Sequence, residues 1–392
     1  MEIAQRIRVE DLAPGMYVVD LGVSWAYHPF LHNQFRLDRA AIERIRELGI
    51  EEVAVLPPER PEGEGSETLA PDGADASPAQ EGIDSRLVTM EARSIVSRLL
   101  REVRAGRAVD RASVDAVVSR LNDALGAHQD SLLALGRIRS RDGYTYQHSV
   151  NVGVLLMAFG RYLNLDPARL HELGVAGLFH DVGKAFVPLE ILTKPGRLTE
   201  SEYEIVKLHA LKGANWLRGL EDASELMVRI AERHHERLDG AGYPHGLQGE
   251  ALGLEERMAM IVDVYDALTA IRPYHKGYAP VEALRIITQE IGQAFDRELV
   301  YEFIRCIGVY PPGTLVRLSD GYLAVVLEAN HTAPGYPRVR VVHDARRNRH
   351  LRRYEDRDLA DGRVSVEGHE DPGRWFFRPE DCLAGPAPAP PH

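Results

Sequence analysis

Between residues 148 and 263, seven imidazole and carboxylate side chains fall on one helix-like segment after another. His148 stands near the start of the first segment, the doublet His180-Asp181 at the end of the second, and His209 on the third. His234-His235 closes the fourth, and Asp263 lies within the fifth. Taken singly, most have ordinary explanations. A His-Asp pair is usually structural, paired imidazoles at a helix end suit the helix dipole, and a lone buried His often has a backbone partner. Asp263 resists such an explanation, because Met260-Ile261-Val262 before it and Val264-Tyr265 after it are apolar. A carboxylate on the buried side of that segment needs a cation or strong hydrogen bonds. The order of the whole series makes coincidence improbable, and a chain that gathers these groups must be mainly α here.

The surrounding pattern agrees. Val88, Ala92, Ile95, Leu99 and Val103 recur at steps of three and four, with Gly106 as a stop, which predicts a helix. A second amphipathic run passes through Val114, Val118, Leu121 and Leu125. The two read either as a helical hairpin packed on the downstream core or as a dimerising signalling segment. Asp166-Pro167 predicts an N-cap with Pro at the first helical position, and Thr199 with Glu202 predicts a capping box. Residues 255–270, 280–290 and 297–307 are helix-like as well.

The two ends differ from this middle. Residues 1–56 predict a small α/β regulatory or sensory domain, with strands at 17–21 and 53–56. A helix over 39–48 is capped by Asp38 and stopped by Gly49. Trp25, Tyr27 and Phe30 read as core or turn packing there, or as a docking surface. Residues 57–82 hold five Pro, four Gly and seven acidic residues against one basic residue. Such a segment buries too little apolar area to offset its ordering entropy, so 57–83 is expected to be a disordered linker. Connecting helices then occupy 84–131 and the ligand-bearing domain 132–310. From residue 311 the pattern turns to strands, at 315–318, 323–327 and 338–342, with an Asp320-Gly321 hairpin turn. A β-rich extension is expected to residue 384, then a disordered tail over 385–392. The expected fold class is mainly α: a helical bundle core with a small α/β domain before it and a small β-rich extension after it.

Imidazole nitrogens and carboxylate oxygens suit divalent iron, manganese or zinc. Seven such groups exceed what one tetrahedral ion needs, and they point to two ions or three. Asp181, beside an imidazole, is suited to bridge a pair. Two ions about 3.5–4 Å apart activate a water and neutralise phosphoryl oxygens.

Charge and cysteine content narrow the alternatives. A net charge of −12 disfavours nonspecific binding to nucleic acid or anionic membrane. The basic group Arg346-Arg347, Arg349 and Arg352-Arg353 is flanked by Asp344, Glu355, Asp356 and Asp358, which reads as a salt-bridged surface. Cys306 and Cys382 form no metal or disulfide motif, and a reducing cytoplasm fits them. The first ten residues lack a signal-peptide core, and the apolar run 150–160 contains Asn151 and is too short to span a bilayer.

His180-Asp181-Val182-Gly183-Lys184 resembles the signature of HD-domain phosphohydrolases. The stretch His234-His235-Glu236-Arg237-Leu238-Asp239-Gly240-Ala241-Gly242-Tyr243-Pro244 is similar to the motif that names the HD-GYP subfamily. Tyr144-Thr145-Tyr146-Gln147-His148-Ser149, Lys194-Pro195-Gly196 and Asp263-Val264-Tyr265-Asp266-Ala267-Leu268-Thr269 match further pieces. The resemblance covers roughly 132–307. Residues 1–56 resemble a domain of unknown function found before such modules.

The resemblance implies a bacterial phosphodiesterase that linearises c-di-GMP to pGpG, with further cleavage to GMP in many members. Carried over, His148, His180, Asp181, His209, His234, His235 and Asp263 are the metal ligands, and Asp181 and Lys184 are catalytic. Lys184 would contact a substrate phosphate or the attacking water. Gly240 and Gly242 would permit close backbone approach in the pocket loop, and Tyr243 would contact substrate. Tyr243-Pro244 would also recruit GGDEF-type signalling partners. Arg272 would bind a phosphate or guanine edge.

Two departures from the family pattern bear on this. Tyr144 stands where some members carry a Glu that completes a third metal site, so a binuclear iron or manganese centre is expected. His275 stands where Arg or Lys is usual. Lys276 is a candidate substitute, and the second phosphate contact stays open. Two other readings stay open: a catalytically silent c-di-GMP receptor, and an HD phosphohydrolase acting on another nucleotide.

Overall fold

The computed structural model describes residues 5–13, 16–20, 35–37, 42, 45, 46, 52–56, 78–136, 144–194, 196–270, 277–375 and 382. Helix α1 (Pro78–Arg104) and helix α2 (Arg111–Gly136) pack against each other. Gly106 between them takes φ 65, the left-handed conformation of a helix stop. Their apolar stripes, Ala92, Ile95, Leu99 and Val103 against Val114, Val118, Leu121 and Leu125, join one core with the downstream helices. The hairpin reading therefore describes this segment. One expectation is corrected: residues 78–83, assigned to the linker, are helical. Pro78 fits the first helical position, where the missing N–H costs nothing, and composition averaged over the whole segment concealed that start. Residues 57–77 and 385–392 lie outside the described residues.

Helix α3 (Tyr144–Tyr162) and helix α4 (Pro167–Phe179) cross closely. A Cβ on Gly177 would meet Gly153 Cα at 2.4 Å, so a side chain there would push the two helices apart. The Asp166 carboxylate caps α4 by accepting from the Arg169 amide. Helix α5 (Leu189–Leu192) is a single turn before helix α6 (Glu200–Arg218), which opens on the expected capping box of Thr199 and Glu202. Helices α7 (Glu225–Arg233), α8 (Leu254–Thr269), α9 (Pro280–Gln289) and α10 (Arg297–Ile307) complete the bundle. No helix among the described residues is long and apolar enough to cross a membrane.

Ion pairs hold the ligand-bearing helices in register. Arg218 on α6 donates to both carboxylate oxygens of the largely buried Glu232 on α7, each at 2.8 Å. Arg229 and Arg233 on α7 donate to the buried Glu256 on α8, at 2.9 and 3.3 Å. Each pair gives a buried carboxylate the partner its burial demands, and together they link the helix of His209 to those of His234 and Asp263.

The N-terminal strands β1 (Gln5–Arg8), β2 (Tyr17–Asp20), β3 (Phe35–Arg36) and β4 (Glu52–Leu56) form an antiparallel sheet in the order β1-β4-β2-β3. Val9, Leu12, Leu37, Ile42, Ile45 and Val53 make a core of its own. Ile42, Ile45 and Arg46 are helical, and the rest of the expected 39–48 helix, with Trp25, Tyr27 and Phe30, lies outside the described residues.

At the other end, β5 (Leu315–Leu318), β6 (Tyr322–Glu328), β7 (Arg338–Asp344), β8 (Arg349–Asp358) and β9 (Val366–His369) build a sheet in the order β8-β7-β6-β5-β9. Strand β8 escaped the hydrophobic pattern because charge pairing supports it. Arg340 sits opposite Asp356 and donates to it at 2.7 Å, and Arg357 pairs with Asp320 and Glu355.

Candidate metal centre

Three of the imidazoles owe their orientation to the helices that carry them. At the end of α4, His180 Nδ1 donates to Gly177 O at 2.7 Å. In α6, His209 Nδ1 donates to Val206 O at 2.6 Å. At the end of α7, His234 Nδ1 lies 3.0 Å from Ile230 O and 3.1 Å from Ala231 O. A ring nitrogen that donates to a carbonyl leaves Nε2 bare, with its lone pair outward. These Nε2 atoms converge. His148 Nε2 and His180 Nε2 are 3.2 Å apart, and His209 Nε2 and His234 Nε2 are 3.3 Å apart.

The ligand atoms resolve into two groups, each with all its atoms within 4.8 Å of one another. One contains Asp181, His209, His234 and His235; the other contains His148, His180 and Asp263. Asp181 joins them. Its Oδ1 lies 3.3 Å from His209 Nε2 and 3.8 Å from His234 Nε2. Its Oδ2 lies 3.5 Å from His180 Nε2 and 3.6 Å from His148 Nε2. Asp263 spans the groups as well, with Oδ1 3.0 Å from His148 Nε2 and Oδ2 3.7 Å from His235 Nδ1.

The 3-10 turn Val182–Phe186 sets Asp181 in this position, and Gly183 explains how. A Cβ on Gly183 would stand 1.9 Å from His209 O and 2.7 Å from Gly213 N, so only glycine lets the turn lie directly on α6. Lys184, three residues after Asp181, brings its ammonium onto the Asp181 carboxylate.

The residues fit divalent metal. Lys184 pairs with one Asp181 oxygen, but the other, Oδ1, is buried and accepts no hydrogen bond, which leaves a desolvated oxygen with room for a cation. The facing lone pairs on the bare Nε2 atoms of His209 and His234 call for a cation between them. Burial together with neighbouring imidazoles keeps His234 well below its ordinary value and pushes His235 down to about 3, so both imidazoles are neutral at pH 7. Burial opposes ionisation of Asp181, but Lys184, His180 and His209 outweigh it and hold the carboxyl well below the usual range.

His148 behaves differently. Burial would depress it, yet Asp263 and Asp266 outweigh burial and lift it to about 10. The metal-free site thus keeps a proton on His148 at neutral pH, whereas ligation through Nε2 requires that proton to leave. Metal uptake at pH 7 is expected to release about one proton from this residue, with affinity rising as pH rises. Titration calorimetry in two buffers of different ionisation heat checks this, and heats independent of the buffer would contradict it.

Asp266, named above only as part of a motif, stands directly behind His148. Its Oδ2 accepts from His148 Nδ1 at 2.7 Å, and Asn151 Nδ2 donates to its Oδ1 at 3.1 Å. The available signal was its place one turn after Asp263, on the same side of α8. Asn151, a lone polar residue in an apolar run, is its second support. Asp266→Asn is expected to weaken metal binding by about 10–100-fold, the usual effect of losing such an orienting partner. Chelator competition measures it, and unchanged affinity would dismiss the role.

Beyond His235 the chain makes a tight loop. The buried Glu236 accepts from the amides of His245 and Leu247 at 2.7 and 3.0 Å. Gly240 takes φ 80, and a Cβ on Gly242 would lie 2.5 Å from Arg237 N. The close approach expected of Gly242 is thus to the loop's own backbone. The Tyr243 ring lies against His235 with centroids 4.8 Å apart. Arg272, His275 and Lys276 lie outside the described residues, as does the side chain of Tyr144.

A family model described as "HD domain" matches residues 134–299, and one described as a domain of unknown function (DUF3391) matches residues 4–114. A cyclic di-GMP phosphodiesterase of Pseudomonas aeruginosa is 37% identical over 389 residues, covering 95% of this chain and 94% of that protein. The 3'3'-cGAMP-specific phosphodiesterase 1 of Vibrio cholerae is 38% identical over 161 residues, 41% of this chain and 37% of that protein. A cyclic di-GMP phosphodiesterase response regulator of Xanthomonas campestris pv. campestris is 34% identical over 191 residues, 48% of this chain and 50% of that protein.

Proposed function

The chain belongs to the HD-domain family of cyclic di-GMP phosphodiesterases, and from that premise we propose that it hydrolyses c-di-GMP at a binuclear iron or manganese centre. The observation that carries the reading is the paired carboxylate bridge: Asp181 and Asp263 each direct their two oxygens at two separate sets of imidazoles. His148, His180 and Asp263 would hold one ion, His209, His234 and His235 the other, with Asp181 shared. Bound there, two ions supply charge neutralisation for the phosphoryl oxygens and lower the pKa of a water.

The protein's own groups do the rest. Lys184 sits on Asp181, close enough to share its charge between that carboxylate and an arriving phosphate. The buried walls of the site exclude bulk water, which strengthens each of these interactions. Tyr243, against His235, borders the opening, and Arg272 is assigned to a phosphate or guanine edge, with His275 and Lys276 beside it. The immediate product is linear pGpG, and GMP follows if the linear form rebinds. The Tyr243-Pro244 loop is the proposed contact for GGDEF-type signalling partners, and a homodimer is the proposed assembly.

A second reading, cleavage of a mixed cyclic dinucleotide, is favoured by the similarity over 161 residues to a 3'3'-cGAMP-specific enzyme. Near full-length similarity to a c-di-GMP enzyme outweighs it. Side-by-side hydrolysis of c-di-GMP, 3'3'-cGAMP and c-di-AMP, with products separated by chromatography, tests the choice. Preference for c-di-GMP is expected; preference for either other dinucleotide would overturn it.

A further inference from the structure

A cyclic dinucleotide carries two phosphodiester anions in one ring, and only one can lie on the metal centre at a time. The other must rest toward the opening, on a chain whose net charge is −12. That background repels it unless a cation is placed there. The family's second phosphate contact falls where this sequence carries His275, with Lys276 as its candidate substitute.

The opening offers a different cation. On α6, two residues before His209, Lys207 Nζ lies 5.7 Å from the centre of the Tyr243 ring and 5.5 Å from that of Tyr203. Tyr243 in turn lies against His235, so a single ring separates this ammonium from the ligand cluster. The two tyrosines flank the lysine and limit its rotamers, which lowers the entropy lost on gripping an anion. Lys207 pairs with Glu204 at 2.6 Å, but Glu204 is 67% exposed. A surface pair of this kind contributes little, so exchanging that carboxylate for a phosphate costs little.

Resting on the c-di-GMP reading above, we propose that Lys207 binds the phosphodiester that is not being cleaved, with Tyr203 and Tyr243 holding its side chain in place. Lys184 serves the scissile phosphate and Lys207 the spectator, and this division makes the enzyme prefer a cyclic dinucleotide over a simple diester.

The test compares kcat/KM for c-di-GMP with kcat/KM for bis(p-nitrophenyl) phosphate, which has a single phosphodiester and no spectator. Lys207→Gln is expected to lower the ratio about tenfold, the scale of one hydrogen bond to a charged group, mainly through KM for c-di-GMP. Lys207→Arg keeps the charge and is expected to restore most of the ratio. A ratio unmoved by Lys207→Gln, or a loss that arginine does not restore, overturns the inference. Wild-type protein that cleaves the simple diester but leaves c-di-GMP intact overturns the substrate reading, and this inference with it.

Discussion

Asp181→Ala is expected to strip the centre of its ions and to cut c-di-GMP turnover by at least about a hundredfold, the upper end of what losing even an outer partner costs. The size of the effect follows from geometry. Each Asp181 oxygen faces a different pair of imidazoles, so one substitution removes a ligand from both groups. It also leaves Lys184 without its carboxylate and facing the remaining imidazoles. The fold should survive, because the helices around the site are held by Arg218–Glu232 and Arg229–Glu256 and not by Asp181. Metal analysis and turnover on the same preparation check this. More than about a tenth of wild-type activity, with ions still bound, would contradict the assigned role.

Gly183→Ala is expected to do comparable damage without touching a ligand. The added Cβ would stand 1.9 Å from His209 O, where no real contact is tolerated, and the obstacle is backbone on both sides. The 3-10 turn must therefore lift off α6, at a cost at the upper end of overpacking, about 3 kcal/mol. Lifting the turn moves Asp181 away from His209, and a metal site tolerates only about ±0.2 Å in its ligand distances. We expect a melting temperature several degrees lower and turnover down by about a hundredfold or more even below the transition. A variant with wild-type melting and activity would show that the turn does not need this contact.

Much of this was legible in the sequence because the decisive signals were local. The Asp166 cap and the Thr199–Glu202 box depend on identity and spacing along one helix and appear where expected, and the seven candidate ligand side chains gather in two neighbouring groups. What was hidden depends on groups distant in sequence. Asp266 supports His148 across 118 residues. Nothing local marks Glu256 and Glu232 as buried, since the arginines that pair with them come from other helices of the bundle. The glycines of α3 and α4 meet only once the helices cross. Strand β8 is mostly charged, with Leu351 and Tyr354 its apolar contacts, and its ionic partners lie on β7 and in the turn before β6.

The measurement that bears most directly on the central claim is c-di-GMP hydrolysis by anaerobically purified protein, with iron and manganese determined on the same sample. The account predicts about two ions per chain and conversion of c-di-GMP to pGpG that stops on chelation and resumes when metal is returned. Protein that holds no metal after anaerobic reconstitution, or that holds two ions and leaves c-di-GMP intact, would contradict it.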